Sequence, residues 1–532
     1  MINEMTNILE TAIVSAEQMA QIEEQIFAAG MPVAALMEKA ATLCAERIKT
    51  LYPLSQISSV GILVGPGHNG GDALVIAREL YLAGYGVKVY RPFFKVKQLT
   101  SQHASYAASL GISFDEDIQS LKDCQLIIDG LFGFGLTRLL PDNTIQAIKE
   151  LNNWSKPIVS IDLPSGIQTD TGEVLGAAIQ ATHTFCLGLW KLAFFQDQAL
   201  EYMGHSERID FGILPHHVWS VLPQPVPIKQ ITTQVAQQFL PLSRSPVTHK
   251  YKQGHLLLIC GSRRYAGGAI LTALGARASG VGMLSVAVPE SLKPLLVSHL
   301  PEALIVNCPE TKDGAIASLP FAVSDLNNFD TVACGPGLTL NAQSVLTKVI
   351  QTECPLILDA DGLNLLAQQE VNSVLTQRAA TTVLTPHLGE FKRLFPDLEH
   401  PDRDRLTAVQ TAAKLSNAIV LLKGARTAIA HPQGEMWLIP ESTPALARGG
   451  SGDVLTGLMG GLMAQVKAGE PMNRRAEDRG SQNATEQNLF NSVATAAWWH
   501  AQGGIFAAKE RTQLGVDAFT LSQYLIKAIS NL

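Results

Sequence analysis

The sequence lacks the marks of several whole classes of protein. Its seven cysteines (Cys44, Cys124, Cys186, Cys260, Cys308, Cys334, Cys354) are odd in number and show no Cys-x-x-Cys spacing. Most lie in apolar runs such as LLLICG and FCLGLW, which argues against a disulfide frame or zinc site and points to buried thiols in a reducing compartment. No apolar run approaches the roughly 18–20 residues that span a bilayer, and the opening MINEMTNILETAIVS has no basic segment leading into an apolar one. These absences predict a soluble, cytoplasmic protein without a membrane partner. Positive charge is not in surplus either: 40 basic residues face 47 acidic ones, a net −7, which argues against a nucleic-acid partner. The second half contains no G-x-x-x-x-G-K-[ST], so a P-loop is excluded there. The absence of a short-period repeat excludes a solenoid.

What is present is globular. A chain of 532 residues is too long for one core, and 46% hydrophobic with 16% charged residues can bury large ones. Ser15 to Ile48 has helical periodicity, broken at Gly30-Met31-Pro32. The strand SSVGILVG, the helix ALVIARELYLAGY and the strand GVKVYRP then make one βαβ unit, and QLIIDGLFG, PIVSIDLPSG and THTFCLGL continue the alternation. This pattern predicts a mainly parallel sheet with helices on both faces. Six prolines (Pro215, Pro223, Pro225, Pro227, Pro241, Pro246) mark a junction, after which GHLLLICG, MLSVAVPE, TVACGPG, PLILDADG, TVLTPH and AIVLLKG resume the alternation. The expectation is an α/β domain over 1–220, a linker over 221–246 and a second α/β domain over 247–532. The polar stretch 467–487 reads as a mobile surface insertion between two apolar helices. Trp498, Trp499 and His500 read as core and helix-end residues, and His216-His217 as exposed linker.

Two glycine-rich loops ending in aspartate stand out: GPGHNGGD (Gly65–Asp72) and GGSGD (Gly449–Asp453). Each lies where a helix is about to start, so its N–H groups can converge on an anion. Gly65, Gly67 and Gly70 match the dinucleotide fingerprint G-x-G-x-x-G, but the next strand ends Val89-Tyr90-Arg91 with no acid for a ribose. Arg91 keeps a 2′-phosphate reading open. A longer set fits better: HNGGD at 68–72, Asp129 in IIDGLFGFG, and DLPSG at 162–166, each at the C-terminal end of a predicted strand. Asn69, Asp129 and Ser165 supply oxygens suited to a hard cation. Asp162 is a carboxylate able to move a proton, and the glycine-broken run 133–139 lets backbone approach a phosphate. The plainer reading is that Asp129 and Asp162 cap helices.

These motifs, with the helical entry ending LMEKAA, resemble the family of epimerases acting on hydrated nicotinamide cofactors, the YjeF N-terminal domain, over about 13–214. The resemblance implies a Rossmann-like three-layer α/β/α sandwich with K⁺ on Asn69, Asp129 and Ser165. Asp162 would then lie at the reacting ring, with Lys191 as a second catalytic residue. Substrate would be lined by His68, Asn69, Gly70, Gly71, Asp72 and Asp162, and by Gly133, Phe134, Gly135, Leu136, Thr137, Arg138 and Leu139. Two positions depart from the family pattern: His68 stands for an asparagine and Ala73 for a glycine.

The second half carries an ordered set of its own: GxxxxxGG at 261–268, GVG at 280–282, GPG at 335–337, DADGLN at 359–364, TPHLGE at 385–390, KGART at 423–427, then GGSGD. An aspartate at a helix start can take a proton from a hydroxyl while the helix N-terminus steadies a phosphate. The series is similar to the ribokinase-like α/β fold and, within it, to the ADP- or ATP-dependent dehydratases of hydrated NAD(P)H. That likeness implies Gly268, Gly337, His387 and Asp453 at the dinucleotide, with Asp453 catalytic. It places Lys423, Gly424, Ala425, Arg426, Thr427 and Gly452 at the nucleotide, which brings Mg²⁺. Read alone, His387 is a packed or capping histidine. Together the halves imply one chain that epimerises R and S hydrates and dehydrates the S form, with self-association expected. The rivals are a small-molecule kinase fused to a regulatory dinucleotide domain, and a first half that only binds.

Overall fold

A computed structural model describes residues 8–469, 479–530 and 532. By its internal contacts the chain divides after Ile228 into two compact units.

The first unit is built on β1 (Ser59–Val64), β2 (Gly86–Tyr90), β3 (Ser113–Asp115), β4 (Leu126–Gly130), β5 (Ile158–Ile161), β6 (His183–Leu187) and β7 (His205–Ile209). The strands are parallel throughout, in the order β3-β2-β1-β4-β5-β6-β7. Runs such as GILV and LIID are apolar because both faces of a parallel sheet are covered. Ile62, Val64, Ile128 and Val159 pack with helix residues in one core. Helix α1 (Ala16–Ala28) starts from a capping box at Ser15 and Gln18 and buries Met19, Ile22 and Ile26. It ends before Gly30 (φ +103°), and α2 (Val33–Leu51) follows. Just before α1, Ile13–Val14 pair in parallel with Trp190–Lys191.

The first motif folds differently from its expected loop. Helix α3 (His68–Leu82) begins at His68, so HNGGD is its first turn. A Cβ at Gly70 would lie 2.0 Å from the Gly65 carbonyl oxygen, and one at Gly71 would lie 2.7 Å from the Met37 sulfur. Tight packing overrides the poor helix propensity of glycine. Ala73 is fully buried, with its methyl 2.3 Å from where a Cβ at Gly130 would sit. Its extra carbon is accommodated because Gly130 has none.

The second unit carries β8 (Ile228–Gln230), β9 (His255–Ile259), β10 (Met283–Pro289), β11 (Leu304–Cys308), β12 (Thr331–Cys334), β13 (Leu356–Leu358), β14 (Thr382–Leu384), β15 (Ile419–Leu422), β16 (Ala428–Ala430) and β17 (Met436–Leu438). Their order is β8-β17-β16-β15-β14-β13-β12-β9-β10-β11. Strands β9 to β15 are parallel, and β16 and β17 add antiparallel pairs. Helix α4 (Ala266–Ala278) lies against the long α6 (Ser451–Ala468) with no room for side chains between them. A Cβ at Gly275 would be 2.1 Å from Val454 O, one at Gly457 1.7 Å from Thr272 O, and one at Gly461 1.9 Å from Ser279 Oγ. Between them α5 (Leu388–Leu394) follows β14, and α7 (Arg479–Arg511) and α8 (Ala518–Ile529) close the fold.

Two boundary expectations are corrected. Inside the expected 221–246 linker, β8 joins the second sheet, and a helix over Thr233–Phe239 buries Val235 and Ala236 in the second core. A few apolar residues suffice there, and the surrounding prolines and glutamines hide them. Within 467–487, Lys467 and Ala468 close α6 and 479–487 open α7, while 470–478 lie outside the described residues. His216 and His217 sit on a short helix, Pro215–Trp219, in the first unit. Trp498 and Trp499 are core residues. His500 is buried, its Nε2 donating to Ser451 O at 2.9 Å, and burial pushes it down to about 4. All seven cysteines are free and buried. No single helix among the described residues is long and apolar enough to cross a membrane.

Candidate active sites

In an open parallel sheet, ligands collect beyond the strand C-termini where the strand order reverses. In the first unit that point lies between β1 and β4, and HNGGD, the 131–139 loop and DLPSG all leave the sheet beside it.

Asp162 has φ +70°, a conformation non-glycine residues rarely adopt, and is nearly fully buried. Its Oδ1 accepts from Lys191 Nζ at 2.6 Å, and its Oδ2 from Phe134 N–H at 2.7 Å. Lys191 is completely buried and also donates to Leu187 O. Burial works against its charge, but Asp162 and Cys186 outweigh that and hold the amine above its ordinary value. Its place is set by pairing with the Ile13–Val14 segment.

Across from this pair, a Cβ at Gly133 would fall 2.9 Å from Asp162 Oδ2 and 3.3 Å from Asn69 Oδ1. The bare glycine therefore leaves Asp162 and Asn69 facing a common space. The loop is tied down by Gly135 N–H to Thr169 Oγ1 at 3.1 Å and Phe132 N–H to Ser165 Oγ at 2.9 Å. Leu136, Thr137, Arg138 and Leu139 run outward from it, with Leu139 71% exposed.

Asp129 is fully buried. It accepts from Ser160 Oγ (2.8 Å), Ser165 N–H (2.9 Å), Ser165 Oγ (2.6 Å) and Leu131 N–H (3.3 Å), yet has no ion pair among the described residues. Burial raises its carboxyl despite those donors. The Asn69 amide nitrogen is buried without a partner. A buried carboxylate lacking a counter-charge, with the Ser160 and Ser165 hydroxyls against it, offers oxygens of the kind a hard cation takes.

His68 opens α3, exposed, with Nε2 3.4 Å from Lys97 Nζ; burial of the ring and then Lys97 lower its pKa. Asp72 is buried, and burial, then Asp162, raise it well above the carboxylate range. Arg91 stands over the Phe114 ring at 5.8 Å.

Sequence reasoning passed over Glu23 on α1. Burial pushes its carboxyl up to about 7, with Lys191 opposing and Asp162 adding to the shift. It lies in ordinary helical periodicity, outside any motif, so only packing brings it to notice.

In the second unit the strand order reverses between β9 and β12. The loops after them meet there: Gly261 N–H donates to Pro336 O at 2.8 Å. A cavity of about 460 Å³ opens above, lined by Arg264, Tyr265, Gly267, Gly268, Leu271, Gly337, Asp361, Gly449, Gly450 and Asp453. Gly450 (φ +90°) turns the chain into α6, so the free N–H groups of its first turn lie beside Asp453. Burial, then the carboxylate of Asp359, push Asp453 up to about 7 against the pull of Lys423. A Cβ at Gly268 would stand 3.4 Å from Asp453 Oδ2, an ordinary contact.

Lys423 Nζ donates to Asp359 Oδ1 at 2.9 Å and lies 3.4 Å from where a Gly452 Cβ would be. Thr456 Oγ1 donates to the other Asp359 oxygen at 2.7 Å. Asp359 was visible in sequence only as part of DADGLN. The KGART turn presents Gly424 and Ala425 to solvent beside this cluster, and the backbone oxygen of Arg426 accepts from buried Arg405 at 2.6 Å.

His387 caps α5. Its Nδ1 accepts from Gly389 N–H at 3.0 Å, and Glu390 completes the capping box. The ring is 57% exposed and does not line the cavity, so the capping reading describes its geometry. It joins the site through Glu390, which lies 3.5 Å from His387 Nε2 and 4.0 Å from Lys423 Nζ.

Two acid centres at the switch points of separate parallel sheets define a two-centre α/β enzyme of proton-transfer chemistry. One is paired with a buried lysine at 2.6 Å. The other titrates near neutrality at a helix N-terminus. Comparison with known proteins names the kind. The family model described as NAD(P)H-hydrate dehydratase matches residues 256–527, and that of the YjeF-related protein N-terminus matches 33–193. The bifunctional NAD(P)H-hydrate repair enzyme Nnr of Synechocystis sp. is 56% identical over 517 residues, covering 97% of this chain and 94% of that one. The enzyme of the same name from Thermosynechococcus vestitus is 48% identical, covering 97% of each. A crystal structure of the ADP/ATP-dependent NAD(P)H-hydrate dehydratase from Bacillus subtilis, co-crystallised with ATP/Mg²⁺, is 28% identical at TM-score 0.46, covering 58% of this chain and 99% of that one. The chain belongs to the bifunctional NAD(P)H-hydrate repair enzymes.

Proposed function

We propose that the first unit interconverts the R and S hydrates of NADH and NADPH, and that the second dehydrates the S form at the expense of ADP or ATP, with ADP preferred. The observation that carries the first assignment is the buried Lys191–Asp162 pair at 2.6 Å, facing Asn69 across bare Gly133. Inverting a hydroxylated carbon beside the ring nitrogen needs a proton moved at that hydroxyl. Asp162 moves it, while Lys191 Nζ on one oxygen and the Phe134 N–H on the other fix its orientation. The first turn of α3 (His68 to Asp72) and the 133–139 loop bind the dinucleotide. Potassium, held by Asn69, Asp129 and Ser165, would supply the positive charge that buried Asp129 lacks.

In the second unit Asp453 takes the proton of the ring hydroxyl as its oxygen attacks the terminal phosphorus of the nucleotide, breaking the bond to the bridging oxygen so that AMP leaves from ADP, or ADP from ATP. The hydroxyl oxygen leaves with the phosphate, the ring nitrogen supplying the electron pair, and loss of a ring proton restores the dihydronicotinamide. Phosphate is a far better leaving group than hydroxide. Gly268, Gly337 and His387 bound the hydrate, while 423–427 and Gly452 hold the nucleotide. Mg²⁺ would come with the nucleotide, bound largely through its phosphates and waters. We place the protein in the cytoplasm, as a homo-oligomer, without nucleic-acid or membrane partners.

The test follows absorbance at the reduced-nicotinamide band from mixed R and S hydrates with Mg²⁺, K⁺ and ADP. The intact chain recovers all of it. Asp162→Asn recovers the S fraction promptly and the remainder only at the spontaneous rate. Recovery by the intact chain that stops at the S fraction would reduce the first unit to a binding module.

A further inference from the structure

The dehydratase cavity has an electrostatic problem. Its substrate carries a pyrophosphate, yet the titratable residues in its lining are Asp361, Asp453, Tyr265 and Arg264. Lys423 lies outside the lining and is held by Asp359. Arg264 is the one cation that faces the cavity among the described residues. Its neighbour Arg263 is committed to Glu310 at 2.6 Å. Arg264 has neither ion pair nor hydrogen bond among the described residues. Its guanidinium instead lies 5.2 Å from the centre of the Tyr265 ring, a cation–π contact that steadies the charge without neutralising it.

Tyr265 is anchored. It precedes α4, and its Cβ and carbonyl oxygen each lie 2.9 Å from where a Cβ at Gly337 would sit, so it presses on the glycine turn after β12. With the base of Tyr265 fixed against Gly337, its half-exposed ring and the un-neutralised Arg264 guanidinium form one wall of the space that Asp453 enters from another. A planar fork of donors free of carboxylates is what phosphate recognition requires.

We infer that Arg264, seated on Tyr265, takes a phosphate of the hydrated dinucleotide and so sets the affinity for that substrate, and not for the nucleotide. This rests on the dehydratase reading above. The residue is a specificity determinant and moves no proton.

The experiment uses the full chain, with initial rates of dehydration of purified S hydrates of NADH and NADPH in Mg²⁺ and ADP. For Arg264→Gln, KM for the hydrate rises on the order of tenfold, kcat stays within about twofold, and KM for ADP does not move. Arg264→Lys recovers part of the loss. An equal rise for both hydrates places the guanidinium on the pyrophosphate they share; a rise confined to the NADPH hydrate places it on the 2′-phosphate. Either supports the inference. An unchanged KM for both hydrates overturns it, as does a rise in KM for ADP or a fall in kcat alone. The parent reading fails separately, by the unaltered chain dehydrating neither hydrate with ADP or ATP.

Discussion

Asp162 and Asp453 are both carboxylates at the edges of parallel sheets, yet their surroundings divide their work. The first is held by buried Lys191 at 2.6 Å. Burial and Asp359 hold the second near 7, so its ionisation falls in the range where the enzyme would operate. Dehydration should therefore rise with pH through about 7 and then level, read as kcat/KM for the S hydrate. The same shift carries a stability cost whose sign is fixed. The folded chain holds this proton more tightly than the unfolded one, so the stabilisation present below the ordinary carboxylate range is lost as pH rises through about 7. Asp453→Asn should abolish dehydration, and its Tm should overtake that of the unaltered protein as pH is raised. Asp162 was legible in sequence because it falls in an ordered motif, and Lys191 only through the family resemblance; their contact at 2.6 Å came from the fold. Glu23 was not, because burial alone distinguishes it from its neighbour Glu24. At His387 the flanking motif favoured a substrate contact; the fold shows Nδ1 capping α5, with the ring itself left largely exposed.

At the scale of elements, apolar runs announced the strands, and helix starts were the weak point. Gly70, Gly71, Gly450 and Gly452 argue against helix by propensity, yet α3 begins at His68 and α6 at Ser451. Backbone-to-backbone packing decides, and no single-residue scale records it. The contact of α4 with α6 is the sharpest case. Gly457→Ala would drive a methyl into Thr272 O, so the helices must part. We expect a loss of about 2–4 kcal/mol in denaturant unfolding of the second unit. Since α6 carries Asp453 on its first turn, dehydration should fall with it while epimerisation is retained.

For the whole molecule, the two-unit plan was evident from the α/β alternation on either side of a proline-rich stretch. Its boundary was not, because the strand and short helix between Ile228 and Phe239 carry too few apolar residues to stand out among prolines and glutamines. With a separate core under each site, the two reactions should respond separately to their ions. Exchanging K⁺ for Na⁺ should slow conversion of the R hydrate and leave dehydration of the S hydrate unchanged, each followed by absorbance from a purified epimer.

The burial of every thiol offers a readout of a different kind. Burial pushes Cys186 up to about 11 and Cys308 and Cys334 up to about 12, so almost no thiolate exists at neutral pH in the folded protein. Three cysteines belong to the first unit (Cys44, Cys124, Cys186) and four to the second (Cys260, Cys308, Cys334, Cys354). Alkylation during a denaturant ramp, resolved peptide by peptide, should therefore date the opening of each core independently. Labelling of the two groups at different denaturant concentrations would mean that one catalytic centre outlives the other in a stressed cell. Coincident labelling would mean that the repair of both epimers is lost at once.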